Sequence, residues 1–68
     1  MNEIIFLVED APEGGFMVRA LDASILTYAD NLDDLRCRVY EAVDCHFEPN
    51  NKPKVIRLHF VREEVIAA

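Results

Sequence analysis

The sequence predicts an α+β two-layer sandwich, in which a three-stranded antiparallel meander is followed by one helix laid across the sheet and then by a fourth strand. Three observations carry this. Short stretches of alternating apolar residues, separated by turn-forming composition, fill the chain up to Ala29. The segment from Asn31 to Phe47 repeats its apolar residues at helical spacing. A further alternating stretch follows Pro49 and Pro53. At 68 residues this is a single domain, 1–68. That is near the lower size limit for independent folding, where one core supplies only about 3–5 kcal/mol of net stability. Self-association is an expected supplement.

The first strand is read over Glu3 to Glu9, with Ile4, Phe6 and Val8 on one face and Ile5 and Leu7 on the other. Both faces are apolar. Asp10 to Gly15 is a turn by composition, since Pro12 presets φ and Gly14 and Gly15 tolerate positive φ. The second strand, Phe16 to Leu21, alternates Phe16, Val18 and Ala20 against Met17, Arg19 and Leu21. Asp22-Ala23-Ser24 returns the chain into a third strand, Ile25 to Ala29.

Asn31 stands before the first periodic apolar residue and is the expected N-cap, its side-chain oxygen accepting from a backbone N–H of the first turn. Asp33 and Asp34 place negative charge at the positive end of the helix dipole, and Pro49 stops the helix. At about 100° per residue, Leu32, Leu35, Val39, Ala42, Val43 and His46 form the buried stripe, with Tyr40 and Phe47 on its shoulder. Asp33, Asp34, Cys37, Glu41, Asp44 and Glu48 form the wet face. The fourth strand runs from Lys54 to about Glu63, with Ile56, Leu58 and Phe60 opposite Val55, Arg57, His59 and Val61. The stretch from Glu64 to Ala68 is a candidate extension of it.

A net charge of −6 argues against a nucleic-acid backbone or an anionic membrane as the main partner, and favours a basic protein. No apolar run approaches the roughly twenty residues of a membrane span, and no leader-like segment begins the chain. Cys37 and Cys45 lie about 12 Å apart along one helix, beyond disulfide reach, so free thiols and a cytoplasmic setting are expected. The apolar second face of the sheet, with Ile5, Leu7, Met17 and Leu21, calls for cover by a second subunit or a partner. A homodimer or tetramer is expected.

The order of Glu13-Gly14-Gly15-Phe16, Leu21-Asp22, Ile25, Thr27, Ala29-Asp30, Leu32-Asp33-Asp34-Leu35 and Ala42-Val43 resembles the HicB-like antitoxin family. The likeness spans Ile4 to about Phe60. It implies a partly degraded ribonuclease-H-like fold, and a non-enzymatic module that neutralises a small, basic, HicA-like mRNA-cleaving toxin by occlusion. Many such proteins also carry a promoter-binding segment after the last strand. Few residues follow the fourth strand here, so no direct nucleic-acid binding is expected.

Several side chains invite a chemical reading. Cys37, Cys45, His46 and His59 are zinc-type ligands but lack ligand spacing, so neither a metal nor any other cofactor is expected. His46, in the last helical turn, suits a terminal carbonyl and the negative dipole end. Asp30, Asp33 and Asp34 are explained by capping and solvation. Cys37, Glu41, Asp44 and Glu48 on the helix, with Arg57 and His59 on the last strand, are the candidate partner-binding residues. Two further readings remain alongside the antitoxin: an orphan homo-oligomeric regulator or scaffold without a toxin, and a residual nuclease using Asp33 and Asp34.

Overall fold

The computed structural model describes residues 2–68. Strands β1 (Glu3–Asp10), β2 (Phe16–Ala20) and β3 (Leu26–Ala29) form the antiparallel meander, helix α1 (Leu32–His46) follows, and a 3₁₀ turn (Pro49–Asn51) leads to β4 (Val55–Val61). The sheet order is β3-β2-β1-β4, with β4 parallel to β1 in the register Ile4↔Ile56, Phe6↔Leu58, Val8↔Phe60. This is the α+β sandwich that the sequence predicts.

Period two selects the core. Ile4, Phe6 and Val8 of β1, Val18 and Ala20 of β2 and Ala29 of β3 are buried, and they meet Leu35, Val39 and Val43 of α1. Among the described residues no polar or charged residue is buried. The cohesion is therefore apolar burial plus the ladders. The hairpin between β1 and β2 closes through Ala11 N–H donating to the Gly15 carbonyl (3.0 Å) and Gly14 N–H donating to the Ala11 carbonyl (3.1 Å). Both glycines have positive φ, 101° and 76°.

The start of α1 is as the sequence suggests. Asp34 N–H donates to Asn31 Oδ1 (2.8 Å), and Asp34 Oδ2 accepts from Asp30 N–H (3.1 Å) and from Arg38 Nε (2.9 Å). Three orphan or charged donors converge on one capping unit. The Arg38 guanidinium, followed by the Asp30 N–H, holds the Asp34 carboxyl below the usual carboxylate range. Because its folded pKa is depressed, this contact stabilises the fold above the ordinary carboxylate pKa. The contribution is lost as pH falls through the lowered folded value. A carboxyl-carbon NMR titration should therefore place the Asp34 midpoint below the ordinary aspartate range, and Arg38→Gln should raise it. Identical midpoints before and after the substitution would contradict the contact.

Three expectations are corrected. Residues 64–68 do not extend β4. The β1·β4 ladder ends at Glu9↔Val61, beyond which β1 turns into the hairpin and leaves nothing to pair with. His46 is exposed rather than part of the buried stripe, which ends at Val43. Phe47, partly buried against the core, closes that end of the helix, and the imidazole packs edge-on against its ring at 4.9 Å and 77°. Leu32 and Tyr40, assigned to the stripe and its shoulder, are 43% and 71% exposed.

The last correction reflects where the helix sits. Along each row of the inner sheet face, Ile4, Phe6 and Val8 are at most 1% exposed, whereas Phe60, the parallel partner of Val8, is 52% exposed. Ile56 and Leu58 are only partly buried. The helix roofs β1 fully and β4 incompletely.

Candidate interaction surfaces

Three surfaces remain open. The first is the outer face of α1, where Cys37, Glu41 and Asp44 are exposed; Glu48, assigned to the same helix face from the sequence, is exposed but lies beyond the helix end, at the start of the 3₁₀ turn. The face is less acidic than its sequence, because Lys52 Nζ donates to Asp44 Oδ1 across the helix end and Arg36 pairs with Asp33 at 3.3 Å. Glu41 and Glu48 make no ion pair among the described residues. Cys37 and Cys45 are exposed free thiols.

The second is the outer face of the sheet, opposite the helix. Arg57 and His59 lie here, so the six partner-binding candidates occupy two opposed faces and do not form one patch. Charges on this face are matched within the sheet: Arg57 Nε donates to Glu3, and Arg19 lies 3.9 Å from Glu9. What remains available is apolar. Ile5, Leu7 and Met17 are partly exposed, and Leu21, Leu26 and Tyr28 are 50%, 58% and 58% exposed. No element of the described chain covers them. Leu26 and Tyr28 were not among the outer-face residues read from the sequence. The same period-two count, started from buried Ala29, places them there.

The third is a cleft of about 430 Å³ between α1 and β4, a direct result of the incomplete roof. Val39, Val43, Ile56 and Leu58 form its apolar floor, and Arg36, Lys52 and Lys54 stand around it. The sequence gives each of these residues a place on its own element. It does not bring Lys52 and Lys54 beside the helix, which depends on the turn through buried Pro53.

Asp33 and Asp34 each face an arginine, and among the described residues no group of three or more His, Cys, Asp or Glu side chains converges as a metal site would need. No helix among those residues is long and apolar enough to cross a membrane.

Comparison with known proteins is informative about kinship. Over 55 residues, covering 81% of this chain and 82% of the relative, the sequence is 46% identical to a UPF0150 protein of Archaeoglobus fulgidus. The chain belongs to the UPF0150 family. A second UPF0150 protein, from Thermotoga maritima, is 32% identical over 66 residues, covering 97% of this chain and 93% of the relative. No family model and no solved structure matches the chain. Both UPF0150 relatives are covered over most of their length, so the likeness takes in sheet and helix together. The family name specifies neither a reaction nor a ligand. What the protein does has to be read from its open surfaces.

Proposed function

We propose that this UPF0150 protein is a non-enzymatic protein-binding module of HicB-like type, which occludes a small basic HicA-like toxin that cleaves mRNA. The observation that carries the reading is the outer sheet face, where exposed Leu26 and Tyr28 of β3, and Leu21 just after β2, adjoin partly exposed Met17 of β2 and Ile5 and Leu7 of β1. An uncovered apolar surface of this kind is characteristic of a protein that acts by contact. The net charge of −6 supplies long-range attraction for a basic partner. The contact area then supplies affinity. The Gly14-Gly15 hairpin and the Asn31-capped helix, two features behind the HicB-like resemblance, both form. A cytoplasmic setting suits both the target and the two free thiols.

The test begins with the tagged protein recovered from its native cells at moderate salt. The expected companion is a small basic protein at near one-to-one ratio, which cleaves RNA once separated and stops on re-addition of this chain. Recovery of the bait alone would reject the antitoxin reading. With the companion in hand, Leu26→Asp should weaken binding by at least about tenfold by desolvating a charge at the contact. Charge reversal at the two unpaired carboxylates, Glu41→Lys with Glu48→Lys, should slow association about tenfold at low salt and little at high salt. A rate indifferent to both salt and charge would remove steering from the mechanism.

A further inference from the structure

We infer that, in the absence of any other partner, two copies of this chain pair face to face through the outer side of the sheet, as a reversible two-fold dimer. The inference shares its surface with the toxin reading but does not rest on it.

Charge selects the occupant. On the strand positions of this face Glu3 lies with Arg57 and Glu9 with Arg19, so the face is neutral. The net charge of −6 is carried elsewhere, by eleven acidic against five basic side chains. Two copies of so acidic a chain repel one another over most of their surface. The outer sheet face is where they can meet without that penalty, and it is also where exposed apolar side chains are gathered. The outer side of α1 offers neither condition, since Asp33, Asp34, Glu41 and Asp44 outnumber Arg36, Arg38 and Lys52 there.

Register supplies the fit. The ladders align Tyr28, Met17, Glu9 and Val61 in one row across the sheet, and Leu26, Arg19, Leu7 and His59 in the next. A two-fold axis parallel to the strands, midway between the two sheets, keeps each row against itself and reverses the strand order. β3 then covers β4 of the second copy, and β2 covers β1. Tyr28 meets half-exposed Val61, and Leu21, whose N–H donates to the Ile5 carbonyl of its own copy (3.0 Å), meets Ile5 of the second copy. Arg19 falls opposite Leu7 and one row from Glu9 of the second copy, so no like charges are directly opposed in either row.

Area sets the strength. Strands about 4.8 Å apart and about six residues long, at about 3.3 Å per residue, give the face a flat footprint of about 19 by 20 Å, or roughly 400 Å² per copy. With the relief of the side chains the pair buries on the order of 1,000 Å² in total, the low end for a specific interface. Desolvation of Arg19 and Glu9 near the axis subtracts further. Such a dimer forms and parts readily.

Sedimentation equilibrium of the full chain alone tests this, with circular dichroism confirming that each variant folds. The wild type, 7.8 kDa as a monomer, should be mostly dimeric at about 100 μM and should dissociate on dilution. Leu26→Asp and Val61→Asp, on opposite edges of the face and outside the core, should each raise the dissociation constant at least about tenfold. Arg19→Glu, which leaves the face with two excess negative charges, should do the same at low salt and less at high salt. Tyr40→Ser, on the exposed side of α1, should stay within about twofold of wild type. A wild type that is monomeric at about 100 μM would overturn the proposal. So would a dimer indifferent to Leu26→Asp and Val61→Asp, or one dispersed by Tyr40→Ser. None of these results bears on whether a toxin is recovered from native cells, so the two readings fail separately.

Discussion

Phe6→Ala is expected to leave the protein predominantly unfolded as an isolated chain at 25 °C. Phe6 is the largest fully buried side chain, on the central part of β1 between Ala20 of β2 and Leu58 of β4. Truncating a buried phenylalanine costs about 3–5 kcal/mol in lost transfer energy and residual cavity. A domain of this size commands a similar net stability, about 3–5 kcal/mol. Neighbours cannot close the gap easily, because Val8 is held by the same two ladders and Ile4 by the pairing with β4. Phe6→Leu keeps most of the volume and should cost only about 1–1.5 kcal/mol, leaving a folded protein with a lower urea midpoint. Equal urea midpoints for the two variants would mean that the core is not centred on this ring.

Gly15→Ala is the second large effect, and it acts through the backbone. Gly15 has φ of 76°, and a Cβ there would lie 2.4 Å from the Ala29 carbonyl oxygen. That atom belongs to the β2·β3 ladder, where Phe16 pairs with Ala29, so it has no freedom to withdraw. Left-handed strain of about 1–2 kcal/mol adds to the clash, for a total near 2–4 kcal/mol. Gly14 is the internal comparison: its φ of 101° is equally unsuited to a side chain, yet a Cβ there meets nothing within 4 Å. Gly14→Ala should therefore show the conformational cost alone, and its urea midpoint should fall between wild type and Gly15→Ala. Reversal of that order would place the close approach at the wrong glycine.

Most of the fold was legible because its signals are local. Asn31, the two aspartates after it and Pro49 bound α1 to within a residue or two, and period two in β1 separated Ile4, Phe6 and Val8 from Ile5 and Leu7 correctly. The residues that misled are those whose state depends on a distant neighbour. Val65 and Ile66 have the composition of a strand, but a strand needs a partner, and β1 has already turned away. His46 keeps the helical period and yet lies beyond the last covered turn.

The candidate surfaces were legible in part for the same reason. Glu41 and Glu48 are as exposed as their period implies, whereas Asp44 is engaged by Lys52 from across a turn that no local pattern predicts. Arg57 and His59 could be given a strand face, but which helix or sheet surface they would join depended on β4 docking beside β1. The cleft follows from that docking and from the incomplete roof over Phe60, neither of which has a signature shorter than the whole chain.

The parallel pairing of β1 with β4 also sets a timetable for the newborn chain. Glu3 and Val55 are partners, so about fifty residues must emerge between the first strand and the one that completes its pairing. The hairpin and the helix depend on shorter separations and can form earlier. At a synthesis rate of about 5–20 residues per second, one backbone edge of β1 stays bare for about 3–10 s. Ile4, Phe6 and Val8 alternate along that edge, a pattern that invites pairing with other nascent chains. The strand that ends deepest in the fold is the one that waits longest in the open.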